Sequence, residues 1–224
     1  MTFEINKLEV NRNPFIGLYF TASEDTLLCA PSILQKDLEI AVNTLKPKKI
    51  CLTFIASSTL VGLFSVANSN GVILPTFTEP SESSKIKKEL SINVALIDDK
   101  YSAVRNNIVA NDKGCLVSDI ISSQEMKKIR DCLDVEVVKS PVGGIKTVGS
   151  VNVATNEGVY GYNGMDEAYA KLLHDVLKVK VGRGTINLGT VANSLGIAAN
   201  SKGAVVGSLS SGFETSTVYE ALSP

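Results

Sequence analysis

Five evenly spaced alanines constrain the fold of this chain more than any other feature of its sequence. Their separations are 45, 43, 44 and 45 residues, at Ala22, Ala67, Ala110, Ala154 and Ala199. A leucine follows each alanine at a distance of 23 residues, at Leu45, Leu90, Leu133, Leu177 and Leu222. Such a period is typical of folds in which one small unit is copied. The sequence therefore predicts five units, centred on 22–45, 67–90, 110–133, 154–177 and 199–222.

A tight turn follows the alanine in every unit. The next residue is polar in all five units: Ser23, Asn68, Asn111, Thr155 and Asn200. Three residues further on, the first unit has Thr26 and the other four have glycine. Asn, Ser and Thr side chains bond to the nearby backbone, and glycine relieves the cost of positive φ. With apolar residues on both sides, the pattern predicts a hairpin of two strands.

A helix and a third strand complete the unit. An apolar residue stands four positions before each closing leucine, at Ala41, Ile86, Ile129, Leu173 and Val218, which is helical spacing. Pro80 and Ser122 are plausible helix starts. Apolar residues then alternate with polar ones in 92–94, 135–137 and 179–181, as in a strand. The predicted unit is strand, strand, helix, strand.

The fifth unit lacks its third strand, because the chain ends at Pro224, two residues after Leu222. The N-terminal segment Thr2–Ile5 alternates suitably, and we expect it to supply that strand. A closed ring leaves no open end. The sequence thus predicts an α/β fold in which residues 1–224 form one domain, a five-bladed α/β propeller with pseudo-fivefold symmetry. The five alanines should line its narrow centre.

Composition excludes several classes of protein. Lys and Arg number 22 against 23 Asp and Glu, so no charge excess is available to coat nucleic acid nonspecifically. Met1–Val10 lacks the apolar run of a signal peptide, and no stretch reaches transmembrane length, so we expect a cytoplasmic protein. The four cysteines are far apart and accompany one histidine, which predicts reduced thiols without a metal site. A closed ring also favours a monomer.

Several segments together resemble one known family. They are PFIG at 14–17, SSTLVGLFSVAN at 57–68, NDKG at 111–114, TVGS at 147–150, GTINLG at 184–189 and IAANSKGAVVG at 197–207. In this order they resemble archaeal translation initiation factor six, the ribosome anti-association factor. The resemblance implies the pentein fold, binding to the large ribosomal subunit near its sarcin-ricin loop, and exclusion of the small subunit, in translation initiation and ribosome biogenesis. It implies no cofactor, metal, membrane or small-molecule substrate.

Two details qualify the resemblance. The chain has no long polar tail after the fifth unit, which fits the archaeal form better than the eukaryotic one. Where relatives carry a Ser-Ala-Leu-Gly-Asn stretch, this chain has SAVRN at 102–106, so Arg105 replaces a glycine.

An enzyme of the same fold is the main alternative. Arginine deiminases and amidinotransferases use a late cysteine as nucleophile, whereas the fifth unit here has none. The single histidine, His174, occupies a helix position that varies among the units, which predicts a surface residue rather than a general base. A second alternative is a small-molecule site in the axial channel. Its expected lining of alanine and valine offers no convergent polar groups.

Three short segments imitate functional motifs. Gly182–Gly184 is glycine-rich, but it does not continue as a phosphate-binding loop. Lys46–Lys49 is basic enough to meet RNA, although short charge runs are usually solvated faces. Lys85–Lys88 is interpreted as the solvent side of a helix.

The candidate ribosome-binding residues come from repeat-equivalent positions. Nine residues before the turn glycine, or before Thr26, the units carry Gly17, Gly62, Arg105, Gly149 and Ser194. Fivefold symmetry places these positions, with their neighbours Asn106 and Ser150, in a ring at one end of the inner strands. Small residues there are consistent with two hypotheses. They start the strands, or they form a flat platform on which another macromolecule binds, with Arg105 and Asn106 projecting as its anchor.

Overall fold

The computed structural model describes residues 2–98, 102–141 and 145–224. Within these residues it contains five three-stranded sheets, one for each predicted unit. In every sheet the middle strand is antiparallel to the inner strand and parallel to the outer strand. The predicted α/β architecture of five strand-strand-helix-strand repeats is confirmed.

The strands fall into three classes by their place in the sheet. The inner strands are β2 (Phe20–Ala22), β5 (Val66–Ala67), β8 (Ile108–Ala110), β11 (Val153–Ala154) and β14 (Ile197–Asn200). The middle strands are β3 (Thr26–Cys29), β6 (Gly71–Pro75), β9 (Cys115–Val117), β12 (Gly158–Tyr162) and β15 (Gly203–Gly207). The outer strands are β4 (Lys49–Leu52), β7 (Asn93–Ile97), β10 (Val137–Lys139), β13 (Lys180–Gly184) and β1 (Glu4–Leu8). The observed outer strands begin one or two residues later than the sequence pattern predicts.

Long and short helices alternate along the chain. The long helices have 11 residues each: α1 (Gln35–Leu45), α3 (Pro80–Leu90), α5 (Ser123–Leu133), α7 (Glu167–Leu177) and α9 (Gly212–Leu222). A short helix precedes each inner strand: the 3-10 turn Ile16–Leu18, α2 (Val61–Phe64), α4 (Val104–Asn107), α6 (Val148–Val151) and α8 (Asn193–Gly196). The predicted helix starts at Pro80 and Ser122 are confirmed, since Pro80 is the first residue of α3 and the Ser122 hydroxyl caps α5. The short helices were not predicted.

The two ends of the chain close the ring. Strand β1 pairs in parallel with β15, from Glu4 opposite Gly203 to Leu8 opposite Gly207. The N-terminal strand therefore completes the fifth unit as predicted, but it runs over Glu4–Leu8 rather than 2–5. Inner strands of neighbouring units contact one another all the way round, from β2 to β14 and back to β2. That residues 1–224 unfold as one domain stays a prediction.

Hydrophobic cores lie between the units rather than inside them. Each long helix packs on the sheet of the preceding unit, as α3 does on β4 and α5 on β7. Alternate residues of a middle strand consequently face different cores: Leu27 and Cys29 pack with α1, whereas Leu28 packs with α3. Both faces of each sheet are buried, which explains why the middle strands are continuous apolar runs.

The turn glycines have another role than the predicted one. Among the described residues Gly189 is the one glycine with positive φ. The backbone conformation therefore does not require glycine at the four turn positions Gly71, Gly114, Gly158 and Gly203. A Cβ at Gly114 or Gly158 would overlap the carbonyl oxygen of the second-last residue of the helix in the next unit. These glycines are therefore required by the close approach of a neighbouring helix.

Candidate functional site

The five short helices form a continuous ring at one end of the channel. Each contacts the next in chain order, and α8 returns to Ile16–Leu18. The candidate residues at repeat-equivalent positions lie in these helices: Gly17, Gly62, Arg105, Gly149 and Ser194. We call the helix-ring face the surface made by these helices and the turns that lead into them, residues 11–19, 55–65, 102–107, 145–151 and 186–196.

The small residues of the ring serve packing between helices. A Cβ at Gly62 would overlap the carbonyl oxygen of Gly17, and a Cβ at Gly17 that of Ser194. Likewise, a Cβ at Gly149 would overlap the carbonyl oxygen of Arg105. These glycines are buried, as are Ser194 and Ser150, whose hydroxyl donates to Thr147 O over 3.0 Å. Of the two hypotheses for these residues, the flat platform of small residues is wrong, because they are buried where the helices approach one another.

Arg105 does not project from the ring as expected. Its side chain enters the axial channel, where the guanidinium Nη2 donates to the carbonyl of Ile197 over 3.3 Å, across the ring in the fifth unit. Burial lowers the pKa of the Arg105 guanidinium to about 10, so it stays protonated at neutral pH. Asn106 remains half-buried at the face, and its buried Oδ1 has no partner among the described residues. The predicted anchor pair is thus divided between the channel and the surface.

The axial channel has two chambers that meet at the ring of alanines. The chamber on the side of Arg105 has a volume of about 50 Å³, and the chamber on the side of the hairpin turns about 20 Å³. All five alanines line both chambers, so the prediction that they lie at the narrow centre is confirmed. The expectation of a purely apolar channel is wrong, because Arg105 enters one chamber while Glu24 and Asp112 line the other.

Charge is distributed unevenly between the two ends of the ring. The described residues of the helix-ring face include Arg12, Arg105 and Lys146 and no Asp or Glu. The hairpin turns at the opposite end carry four carboxylates, at Glu24, Asp25, Asp112 and Glu157, against two lysines, Lys113 and Lys202. A net charge of -1 conceals this separation. The helix-ring face can therefore approach phosphate without repulsion from a central carboxylate.

Carboxylates from the next unit hold two of the turns on this face. Glu82 in α3 accepts from the backbone N–H groups of Ala56 and Ser57, at 2.6 and 3.0 Å. Both turn residues have positive φ, of 51° and 60°, which is unfavourable for side chains with a Cβ. The carboxylate therefore stabilises a strained turn. Sequence analysis missed this role, although Glu82 and its counterpart Glu214 both stand third in their helices.

Glu214 is the carboxylate that holds the second of these turns. It accepts from Leu188 N at 3.2 Å and from Gly189 N at 2.9 Å, and also from Thr185 Oγ1 and Ser211 N. Burial opposes ionisation, but the four hydrogen bonds outweigh it and lower the pKa of Glu214 to about 2. The charged carboxylate is therefore part of the turn.

Apolar side chains reach solvent on the same face. Leu188, at the tip of the clamped turn, is 70% exposed, and Val191 beside it is 48% exposed. Leu18, Leu63 and Leu195, each directly after a ring position, are half-buried. Apolar surface next to cations and a polar amide is the composition expected of a macromolecular interface.

The thiols that nucleophilic catalysis by cysteine would need are not activated. All four cysteines are buried and free. Burial raises the pKa of Cys29 and Cys51 to about 12 and that of Cys132 to about 11. His174 is exposed on α7, as predicted, and its Nδ1 lies 2.9 Å from Val179 O. The described part of the chain holds no His, Cys, Asp and Glu cluster suited to a metal, and no helix there is long and apolar enough to cross a membrane.

The motif-like segments have structural roles. Gly182–Gly184 lies within β13, where Arg183 pairs with Glu167 at 2.6 Å. In the basic run, Lys46 pairs with Glu4, Lys48 with Asp25, and Lys49 donates to Leu90 O. Lys87 and Lys88 are exposed on α3 while Ile86 is buried, as predicted for the solvent side of a helix.

Comparison with known proteins points to one family. A family model described as the eIF-6 family matches residues 5–221. Translation initiation factor 6 of Pyrococcus horikoshii is 34% identical over 223 residues, covering 97% of this chain and 98% of the relative. The protein of that name from Methanocaldococcus jannaschii is 39% identical over 216 residues, covering 93% of each chain. That from Thermoplasma acidophilum is 32% identical over 219 residues, covering 98% of this chain and 100% of the relative.

Proposed function

Because this chain belongs to the eIF-6 family, whose relatives are named translation initiation factors, we propose that it binds the large ribosomal subunit and so prevents association with the small subunit. The observation that carries the proposal is the helix-ring face. It is a closed surface whose own described residues include cations and apolar side chains but no Asp or Glu. The carboxylates of Glu82 and Glu214 beside it accept hydrogen bonds from its turns.

The physical character of the face suits a ribosomal target. Arg12 and Lys146 are exposed and available to phosphates, while Leu188 and Val191 offer apolar contact to a ribosomal protein. The helices are packed backbone against backbone, so the surface is already in place before binding and little ordering entropy is lost. A contact area near the sarcin-ricin loop, as the resemblance implies, would present both RNA and protein.

Asn106 is the proposed polar contact on this face. It is half-buried, so part of its side chain is accessible to a partner that docks on this face, although its Oδ1 is enclosed. Gly17, Gly62, Gly149, Ser150 and Ser194 contribute in this proposal by keeping the helices close together. Arg105 contributes charge from within the channel rather than as a projecting anchor.

Exclusion of the small subunit needs no chemical step. One bound copy occupies the surface at which the subunits meet, and the occupied fraction follows from concentration and dissociation constant. The raised pKa values of the thiols fit such a passive role, since nucleophilic catalysis requires a thiolate. The ring closed by β1 gives a single copy no open end to share, so the factor acts in the proposal as a monomer.

Sedimentation with purified ribosomal subunits tests the proposal. The protein should co-sediment with large subunits, not with small ones, and should prevent their joining at a stoichiometric ratio without nucleotide or metal. Lys87→Gln, a change at an exposed residue of α3 outside the helix-ring face, serves as a control for handling. Inhibition at strongly substoichiometric amounts would contradict occupancy and indicate an enzyme.

A further inference from the structure

We propose that the channel chamber next to Arg105 is a binding site for one small inorganic anion of the size of chloride. The inference is independent of ribosome binding, because it rests on the interior of the ring. Its basis is a half-buried cation that enters the channel, a chamber of suitable volume, and a lining free of carboxylates.

The cation lacks a compensating charge within the described part of the chain. No ion pair joins Arg105 to a carboxylate of these residues. Burial alone accounts for the lowered pKa, so no nearby carboxylate stabilises the charge. The guanidinium Nη2 reaches Ile197 O, but Nε is buried and has no partner. An unpaired charge that is partly removed from water is costly, and an anion would reduce that cost.

The chamber has room for the ion. Its volume is about 50 Å³, whereas a single water needs roughly 10–15 Å³ measured in the same way. Chloride with an accompanying water fits this space, and a nucleotide does not. The equivalent positions in other units are Gly17, Gly62, Gly149 and Ser194. Among the described residues that line the chamber, Arg105 is the one cation.

The lining of the chamber also favours an anion. It consists of residues from all five inner strands together with Arg105, Gly149 and Asn152, and none of these described residues is Asp or Glu. Each inner strand pairs with its middle strand on one side only, so the other edge retains backbone N–H groups without a strand partner. Such groups donate to anions. The chamber beyond the alanines is lined by Glu24 and Asp112 and would repel an anion, which places the site on the Arg105 side.

Chloride NMR line broadening measures the binding directly. We expect the unmodified protein to broaden the chloride signal and added bromide to compete for the site. Arg105→Gly should lose most of this broadening while remaining folded, because glycine occupies the equivalent position in three other units. Lys87→Gln, which removes an exposed cation from α3, is the matched control and should leave the broadening unchanged. Equal broadening by Arg105→Gly and the unmodified protein would overturn the site.

Crystals of the unmodified protein grown in sodium bromide provide a test that does not depend on a variant. The anomalous signal of bromide should lie in the chamber within contact distance of the Arg105 guanidinium. Thermal stability should also be higher in sodium chloride than in sodium gluconate at equal ionic strength, since gluconate is too large for the chamber. A chamber without bromide, with signal at surface lysines alone, would refute the proposal.

Discussion

The asparagine after the third alanine joins two units of the ring, and its contribution can be measured. Asn111 is 4% exposed, and its Nδ2 donates to the carbonyls of Thr155 and Leu177 in the next unit, both at 2.9 Å. Its Oδ1 accepts from the backbone N–H groups of Lys113 and Gly114 within its own turn. One side chain therefore stabilises both a hairpin and the contact between the third and fourth units.

Threonine at this position separates the two roles, because the fourth unit already uses it. Thr155 accepts from Glu157 N and Gly158 N, both at 3.1 Å, but has no amide to donate to the next unit. Asn111→Thr should keep the turn bonds and lose the two bonds between units. At a net 0.5–1.5 kcal/mol for each hydrogen bond, the loss should be roughly 2 kcal/mol. Asn111→Ala loses all four bonds, and roughly 4 kcal/mol is expected.

Equilibrium unfolding in urea, followed by circular dichroism, measures both values. The slope of the free energy of unfolding against urea concentration should be the same for all variants if the change in midpoint reflects stability alone. Asn163→Thr makes the same chemical change at an exposed asparagine and should cost less than about 0.5 kcal/mol. If Asn111→Thr unfolds at the same midpoint as Asn163→Thr, the bonds to Thr155 and Leu177 do not hold the units together.

Three further predictions concern the interface, the closure and the acid response. Asn106→Ala should weaken large-subunit binding by roughly 1 to 3 kcal/mol, measured by quantitative co-sedimentation, while Lys87→Glu on α3 should have little effect; equal binding by both variants would place the interface elsewhere. Deletion of residues 2–8, which removes β1, should lower the melting temperature of the whole protein, and an unchanged melting temperature would refute cooperative closure. Because the pKa of Glu214 is lowered from an ordinary 4.5 to about 2, its contribution of ~3 kcal/mol is present above about pH 4.5 and lost as pH falls towards 2. Glu214→Gln should therefore be less stable at neutral pH and differ little near pH 2, and a constant difference across this range would contradict the role of the charge.

The contrast between Gly114 and Arg105 shows where sequence reasoning succeeded and where it failed. The repeat predicted a glycine at position 114, but the predicted role in relieving positive φ was wrong. Gly114 instead makes room for the helix of the next unit. Arg105 was assigned correctly to a ring of equivalent positions, yet its long side chain enters the channel instead of the solvent. In both cases the deciding contact comes from a different unit, more than 60 residues away along the chain.

The sequence by itself determined the number of units, the order of strands and helix within them, and the strand that closes the fifth unit. These features follow from the spacing of apolar side chains, which local backbone geometry converts into strands and helices. The tertiary structure alone decided how the units meet. The short helices of the ring have three or four residues, too few for a periodic pattern, and the carboxylate clamps of Glu82 and Glu214 join turns to helices of the following unit. The side chain of Arg105 points into the channel because the other four units leave space there. Contacts across a closed ring join residues that are far apart in sequence, so no local sequence pattern predicts them.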